Sequence, residues 1–392
     1  MIIAASLDVH KVKCVAYAVY GGSGKPTKRQ TEYLDEFNKL FRRMDTSPEG
    51  LAPMARYLEG HEAHFLIENS TSAHNVYWIL RNLGLDVVVA RATDLYQITK
   101  STQKNDDKDS KKLAEYMRRY LNGEREFAVC LMAPPEWMMK RQFIRTVFSE
   151  KEYLSDNKRR IHAHLMLTGT ELPKKYKDIA CLGSTRQLKS TGDPVLVQLA
   201  GIADDLRRRI RDGEGAIMQM FVNDQNYGRL MTIPGVGVMT AAYISSITID
   251  PFRFDGGDRF ASYLGLVPKQ HASADSNPRC RITKTGDADA RRMVTNATMV
   301  HINLVEDSIV SRKYHRLKAD GVPHKKALTA CARKMAEVML SVMKSGIPYT
   351  TDQALLRRAR QNEDGILEEQ MVEEVLEDIS RDCLEEKSPE KE

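Results

Sequence analysis

Short apolar runs that end beside acidic residues mark the first third of the chain, and they limit what this region can fold into. Ile2-Ile3-Ala4-Ala5-Ser6-Leu7 leads into Asp8, and Cys14-Val15-Ala16-Tyr17-Ala18-Val19-Tyr20 follows at once. That pattern predicts a β-hairpin with Asp8 near its end. Phe65-Leu66-Ile67 runs into Glu68, and the next residues, Asn69-Ser70-Thr71-Ser72, suit a helix cap ahead of Val76, Tyr77, Ile79, Leu80 and Leu83. Glu68 is therefore expected at a strand-to-helix junction. A further strand, Val87-Val88-Val89-Ala90, precedes Lys104-Asn105-Asp106-Asp107-Lys108-Asp109, which opens a helix with Leu113, Tyr116 and Met117 on its apolar side. Asp106 and Asp109 are spaced to share one face of that helix.

Gathering Asp8, Glu68, Asp106 and Asp109 costs Coulomb repulsion unless a cation joins them. Mg²⁺ (or Mn²⁺) suits such a set, because it prefers carboxylate oxygens, keeps part of its water shell and binds phosphate oxygens. Two such ions about 4 Å apart stabilise both the attacking and the leaving oxygen of a phosphodiester. Taken singly, each acid reads more simply as a solvated or capping carboxylate.

Downstream the sequence turns helical and charged. Residues 135–167 and 193–222 each keep a helical apolar period, with Arg207-Arg208-Arg209 outside the second stripe, and the two are expected to pair as an antiparallel hairpin separated by a turn-rich break at Leu182-Gly183-Ser184-Thr185. Packing against each other is the simpler role for these stripes, with a partner seam as the alternative. Ile233-Pro234-Gly235-Val236-Gly237 then looks like a helix-hairpin-helix turn, in which Gly235 and Gly237 let backbone N–H groups converge on a phosphate; a plain helix joint is the competing reading. Between Gly265 and Arg292 the chain is polar and loop-like. It holds Ser273 and, after it, Arg279, Arg281, Lys284, Arg291 and Arg292. A hydroxyl needs a base, a metal or cations to act as a nucleophile at neutral pH, and this segment supplies the cations. By itself such a serine is more often a turn residue. Amphipathic helices are expected over 293–305 and 325–343.

The segments around Asp8, Glu68 and 104–109, followed by Ile233-Pro234-Gly235-Val236-Gly237 and Gly265-Leu266-Val267-Pro268, resemble the insertion-sequence transposases of the Piv/MooV type. The resemblance spans most of residues 1–345. It implies a RuvC-like, ribonuclease H-fold domain with a DEDD acidic tetrad, joined through a helical coiled-coil spacer to a C-terminal transposase domain with a catalytic serine. Position by position, the tetrad falls on Asp8, Glu68, Asp106 and Asp109 and the serine on Ser273. Two places depart from the family pattern, which has Glu-Ala-Thr-Gly where this chain has Glu68-Asn69-Ser70-Thr71, and Ser-Gly where it has Ser273-Ala274. Ser276 is the fallback nucleophile. The resemblance further implies donor and target DNA as substrates, a structured bridge RNA as guide, and a dimer that assembles into a tetramer.

The expected fold class is thus α/β plus all-α: a RuvC-like domain over 1–128, a helical spacer over 129–226, a mainly helical serine transposase domain over 227–348, and an acidic tail over 349–392. The expected activity is cleavage and rejoining of DNA through a covalent phosphoserine, with Arg279 or Arg281 neutralising developing charge. A Mg²⁺-dependent structure-specific nuclease using water, and a non-catalytic nucleic-acid-binding protein, are the alternatives. A net charge of +6 fits nucleic-acid partners, the more so because residues 351–392 are strongly acidic and leave the remainder more basic. Six scattered cysteines, no basic leader before the first apolar run and no apolar stretch of bilayer length lead to the expectation of a prokaryotic, cytoplasmic, nucleoid-associated protein without a membrane partner.

Overall fold

The structure is a computed structural model that describes residues 1–92, 94–95, 106–171, 177–267 and 286–351. The chain divides into two compact units, Met1–Pro135 and Glu136–Glu392.

The first unit is built on a five-stranded mixed sheet. In chain order its elements are β1 (Ile2–Val9), β2 (Lys13–Tyr20), α1 (Lys28–Leu40), β3 (Met44–Asp45), α2 (Pro48–Tyr57), β4 (Glu62–Glu68), α3 (Ala73–Asn82), β5 (Asp86–Ala90) and α4 (Asp106–Leu121). The strands lie in the order β3-β2-β1-β4-β5. β1 pairs antiparallel with β2, as the hairpin pattern requires, and parallel with β4, which in turn runs parallel to β5. Side chains alternate across a strand, and here the alternation sorts them into two cores. Ile3, Ala5, Leu7, Phe65, Ile67, Val87 and Val89 face α1, α2 and α3, where Phe37, Leu51, Met54, Val76 and Leu80 meet them. Ala4 and Leu66 face the other way, onto Leu113, Tyr116 and Met117 of α4. Ala73 follows directly on the cap-rich stretch after Glu68, although Ser72 makes no side-chain cap bond to α3.

The second unit is helical. Its long elements α5 (Pro135–Thr168) and α7 (Pro194–Phe221) fall within one or two residues of their expected spans, with α6 (Leu182–Ser190) between them. α5 and α7 run antiparallel: Lys151 pairs with Glu214 at 2.5 Å, and Asn157 donates to the carbonyl of Leu199 at 2.8 Å. Gly213 lets them approach, since a Cβ there would lie 2.6 Å from Cγ2 of Val147. The segment read as a turn-rich break at Leu182-Gly183-Ser184-Thr185 is instead the first turn of α6. Cys181 caps it, Ser184 donates to the carbonyl of Asp178, and Thr185 donates to Asp204 at 2.7 Å. Tertiary partners satisfy hydroxyls that otherwise favour a turn.

The remaining helices are α8 (Gln225–Met231), α9 (Val238–Thr248), α10 (Gly257–Tyr263), α11 (Ala288–Leu304), α12 (Ile309–Ala319) and α13 (His324–Ser345). α9 is buried on all sides from Ala241 to Thr248, the position that an evenly apolar helix takes. The core around it includes Ile144 and Val147 of α5 and Ile217 and Phe221 of α7, together with Phe260, Val294, Met335 and Met339. Half of the expected spacer over 129–226 thus shares one core with the expected domain over 227–348. No helix among the described residues is long and apolar enough to cross a membrane.

Candidate functional site

Asp8 and Glu68 stand near the C-terminal ends of neighbouring parallel strands, one step beyond the paired residues Leu7 and Ile67. By the alternation of each strand they share the face of Ala4, Ser6 and Leu66, onto which α4 packs. α4 is held there by two hydroxyls. Ser6 donates to the carbonyl of Ser110 at 2.6 Å, and Ser110 donates to the carbonyl of Val15 at 3.4 Å. Val15 is the cross-strand partner of Asp8. The residue next to Asp109 is therefore latched to the strand pair at the level of Asp8, and Asp109 sits one turn before Leu113 on the apolar stripe of α4. Asp106 begins α4 one turn earlier; its side chain lies outside the described residues.

Two observations bear on a cation here. Oδ1 of Asp109 is buried and has no hydrogen-bond partner among the described residues. The Lys112 ammonium forms an ion pair with it at 3.7 Å, beyond hydrogen-bond reach. A carboxylate oxygen that is desolvated without a donor is costly unless something else coordinates it. On the strand side, His10 approaches Oδ2 of Asp8 at 3.5 Å. Carboxylate oxygens at one end of a sheet form a hard donor set of the kind Mg²⁺ or Mn²⁺ takes. The described side chains do not close a cage by themselves: among the described residues no group of three or more His, Cys, Asp and Glu could hold a metal ion. The residues fit a divalent cation in donor chemistry and in the orphaned Asp109 oxygen.

In the second unit, Ser273, Ser276, Arg279, Arg281 and Lys284 all lie outside the described residues, within 268–285. The two stems of that segment are described, and they touch. A Cβ on Gly286 would fall 2.2 Å from the carbonyl oxygen of Tyr263, so glycine alone permits this approach. Arg291, expected to meet phosphate, instead binds the stems together, donating to the carbonyls of Gly286 at 2.6 Å and Leu264 at 3.3 Å. Arg292 likewise has internal partners, Glu152 and Asp289, and lies over the ring of Phe148. Any phosphate contact by these two must compete with those bonds.

Sequence reasoning missed the group that fixes the exit stem. Oδ2 of Asp287 accepts from Tyr243 at 2.7 Å and from Arg145 at 2.6 Å, while its Oδ1 caps α11 through the N–H groups of Asp289 and Ala290. Burial alone would push this carboxyl up, but the Tyr243 hydroxyl, the capped N–H groups and the Arg145 charge outweigh it and hold it below the usual carboxylate range. An Asp followed by Ala-Asp-Ala was a legible cap signal; its partners, far away in sequence, were not.

Gly235 and Gly237 take different roles. Gly235 has φ of 87°, and a Cβ there would lie 2.7 Å from the backbone nitrogen of His301. It brings the turn onto α11 and is a packing glycine. Gly237 has open space around it and forms the N-cap of α9. The turn is further held by His301, whose Nδ1–H donates to the carbonyl of Pro234 at 2.8 Å while Nε2 faces the Ser308 hydroxyl at 2.9 Å. Burial pushes this imidazole below its ordinary pKa. The fold therefore holds it neutral, whereas the unfolded chain protonates it below about pH 6.5. Stability is thus expected to fall as pH drops through that value, with the unfolded state binding the extra proton. Urea unfolding between pH 7.5 and 5.5 should show a steeper acid loss in the native chain than in His301→Gln; equal slopes would remove His301 as the cause.

Residues 227–316 match the model of the transposase IS116/IS110/IS902 family. This family segment runs from α8 into α12 and includes the Pro234–Gly237 turn, both stems of 268–285 and the Asp287 cap. Among curated relatives, the transposase for insertion sequence element IS1328 of Yersinia enterocolitica is 24% identical over 195 residues, 48% of this chain and 58% of that protein. The putative transposase y4pF/y4sB of Sinorhizobium fredii is 30% identical over 156 residues, 37% of this chain and 38% of that protein. The matches to these two span less than two thirds of the length of either. The putative transposase y4qE, also of Sinorhizobium fredii, is 20% identical over 375 residues, 88% of this chain and 89% of that protein. The likeness to transposases thus reaches beyond the family segment into the sheet-bearing unit.

Proposed function

We propose that this chain is a DNA transposase that cleaves and rejoins DNA strands through a covalent phosphoserine, with Ser273 as nucleophile. Asp8, Glu68, Asp106 and Asp109 are the residues that would hold Mg²⁺ or Mn²⁺, which when bound supplies charge neutralisation at the reacting phosphate. The observation that carries the proposal is the placement of Asp8 and Glu68 on adjacent parallel strand ends, on the same sheet face as α4 with its orphaned Asp109 oxygen. A mixed five-stranded sheet with helices on both faces supports a RuvC-like ribonuclease H fold for this unit. The transposase-family match of residues 227–316, which bracket Ser273, supports the rest.

In the first step the Ser273 oxygen bonds to phosphorus as its proton leaves, and the phosphorus–oxygen bond to one deoxyribose breaks, the leaving oxygen taking up a proton so that the strand end is freed as a hydroxyl with no net change in protons. Arg279 or Arg281 stabilises the charge that builds on the phosphoryl oxygens. The reverse step, with a strand end from the other duplex attacking the phosphoserine, reseals the DNA. Two duplexes present four strands to cut, one serine for each, which supports a dimer that pairs into a tetramer; choice of sites is assigned to a structured guide RNA, as in the family that the sequence resembles.

Ser273→Ala is expected to abolish the protein–DNA adduct on duplexes carrying the DNA that flanks the coding sequence, while leaving nucleic-acid binding intact. Denaturing gels with and without EDTA read this directly. An adduct that survives in Ser273→Ala and disappears in Ser276→Ala moves the nucleophile to Ser276; strand cleavage with no adduct in the native chain replaces the serine by water.

A further inference from the structure

Helices α12 and α13 pack against each other and leave between them an open cleft of about 560 Å³. Arg312, Lys313 and Arg316 of α12 and Arg333 and Lys334 of α13 line it, against the single carboxylate of Glu337. We propose that this cleft seats the phosphodiester backbone of duplex DNA. The inference rests on the DNA-acting function proposed above and assigns a contact surface built from residues outside both the acidic set and the serine segment.

The existing partners of these cations are weak competitors. Arg312 pairs with Asp307 and Arg333 with Asp258, carboxylates whose side chains are 84% and 75% exposed, and Arg333 also lies 3.8 Å from Glu337. Such surface pairs contribute little and are screened by salt, so a phosphate can replace them at small cost. Lys334 bonds to Glu337 at 2.8 Å. Lys313 and Arg316 have no carboxylate within ion-pair distance among the described residues. Arg312 and Arg316 stand one helical turn apart, which lays their charges along α12 as a row that can follow a strand backbone. Backbone contacts of this type fix position and carry no sequence information, which suits a protein whose site choice is made elsewhere.

The acidic C-terminal residues are the rival occupant, because Tyr349, Thr350 and Thr351 line a groove that shares Arg312 and Lys334 with the cleft. The residues that follow argue against it. Asp352 follows Thr351 directly, but the next charged residues are Arg357, Arg358 and Arg360, and the run of acids begins only at Glu363. The sequence of 352–362 thus sets three arginines against one aspartate, a balance that does not suit a cationic cleft.

The test is fluorescence anisotropy of the full chain on unrelated 30-bp duplexes, from about 50 to 200 mM salt, comparing the native protein with Lys313→Gln/Arg316→Gln. Loss of two phosphate contacts should weaken binding roughly tenfold on every sequence and lower the slope of log K against log salt by about 2. Both positions lie at the surface of α12 and glutamine is a good helix former, so the melting temperature should hold. Unchanged affinity and slope would overturn the proposal, as would an effect confined to a structured RNA of equal length. If Lys313→Gln/Arg316→Gln changes DNA affinity in the native background but has no effect in a Glu368→Gln/Glu369→Gln/Glu373→Gln/Glu374→Gln chain, the cleft belongs to the acidic segment instead. Adduct formation, read in parallel, separates the two levels: a normal adduct with an unchanged slope defeats the cleft alone, and a changed slope with no adduct in the native chain defeats the phosphoserine alone.

Discussion

Asp109→Asn is expected to slow DNA cleavage by about 10²–10³-fold, the scale on which removing one preorganised electrostatic group acts, while leaving thermal stability equal or slightly raised. The two effects come from the same atom. Oδ1 of Asp109 is buried with no hydrogen-bond partner among the described residues, and Lys112 is too distant to donate to it. In the folded chain without a cation, this oxygen is a cost to stability, because it has lost water and gained only a long ion pair with Lys112. An amide removes the charge and much of that cost, and it also removes an anionic ligand for a hard cation. Cleavage of a labelled duplex across a Mg²⁺ titration, beside a thermal melt, reads both. A variant that melts lower and cuts at the native rate would make Asp109 a structural residue and dissolve the acidic set. The latch beneath it gives an internal comparison, since Ser6→Ala removes the hydroxyl that holds the carbonyl of Ser110. That change should slow cleavage less, through misplacement of α4 rather than loss of a ligand.

Gly235→Ala is expected to destabilise the helical unit by about 3 kcal/mol or more, from two contributions that add. A left-handed backbone costs an L side chain roughly 1–2 kcal/mol, and forcing a methyl into a filled space costs about 1–3 kcal/mol. The space is filled by backbone, which cannot rotate away: the new Cβ would meet the nitrogen of His301 at 2.7 Å and the carbonyl oxygen of Ala297 at 2.8 Å. Gly237→Ala is the control, because nothing lies within 4 Å of a Cβ there. If Gly235 served chiefly as a phosphate contact, Gly235→Ala would weaken DNA binding in a chain that unfolds at the native urea midpoint. The structural role described here requires the opposite, a lowered midpoint with binding reduced only in proportion to the unfolded fraction.

Strand and helix placement was largely legible where one face of an element is buried. The runs ending near Asp8 and Glu68 became adjacent strands, and the stripes over 135–167 and 193–222 became α5 and α7, because burial of one face imposes a period of two or 3.6 residues on the sequence. α1, α2 and α12 went unread, and Leu182-Gly183-Ser184-Thr185 was mistaken for a turn. In α6 the deciding bonds come from Asp178 and Asp204, and no local pattern announces a partner of that kind.

The order of residues alone determined which side chains can do chemistry here and on which face of their own element each one stands. Period and spacing put Asp8 and Glu68 at strand ends and set Asp109 one turn from Leu113. Whether those faces meet was decided by tertiary structure: the parallel pairing of β1 with β4, and the two serine hydroxyls that pin α4 across them. The same holds for Arg291: its charge is written in the sequence, and only the fold set two carbonyls beside it. Local pattern is written by the solvent each residue sees, whereas a contact between distant segments depends on how whole surfaces fit, which no single stretch of sequence contains.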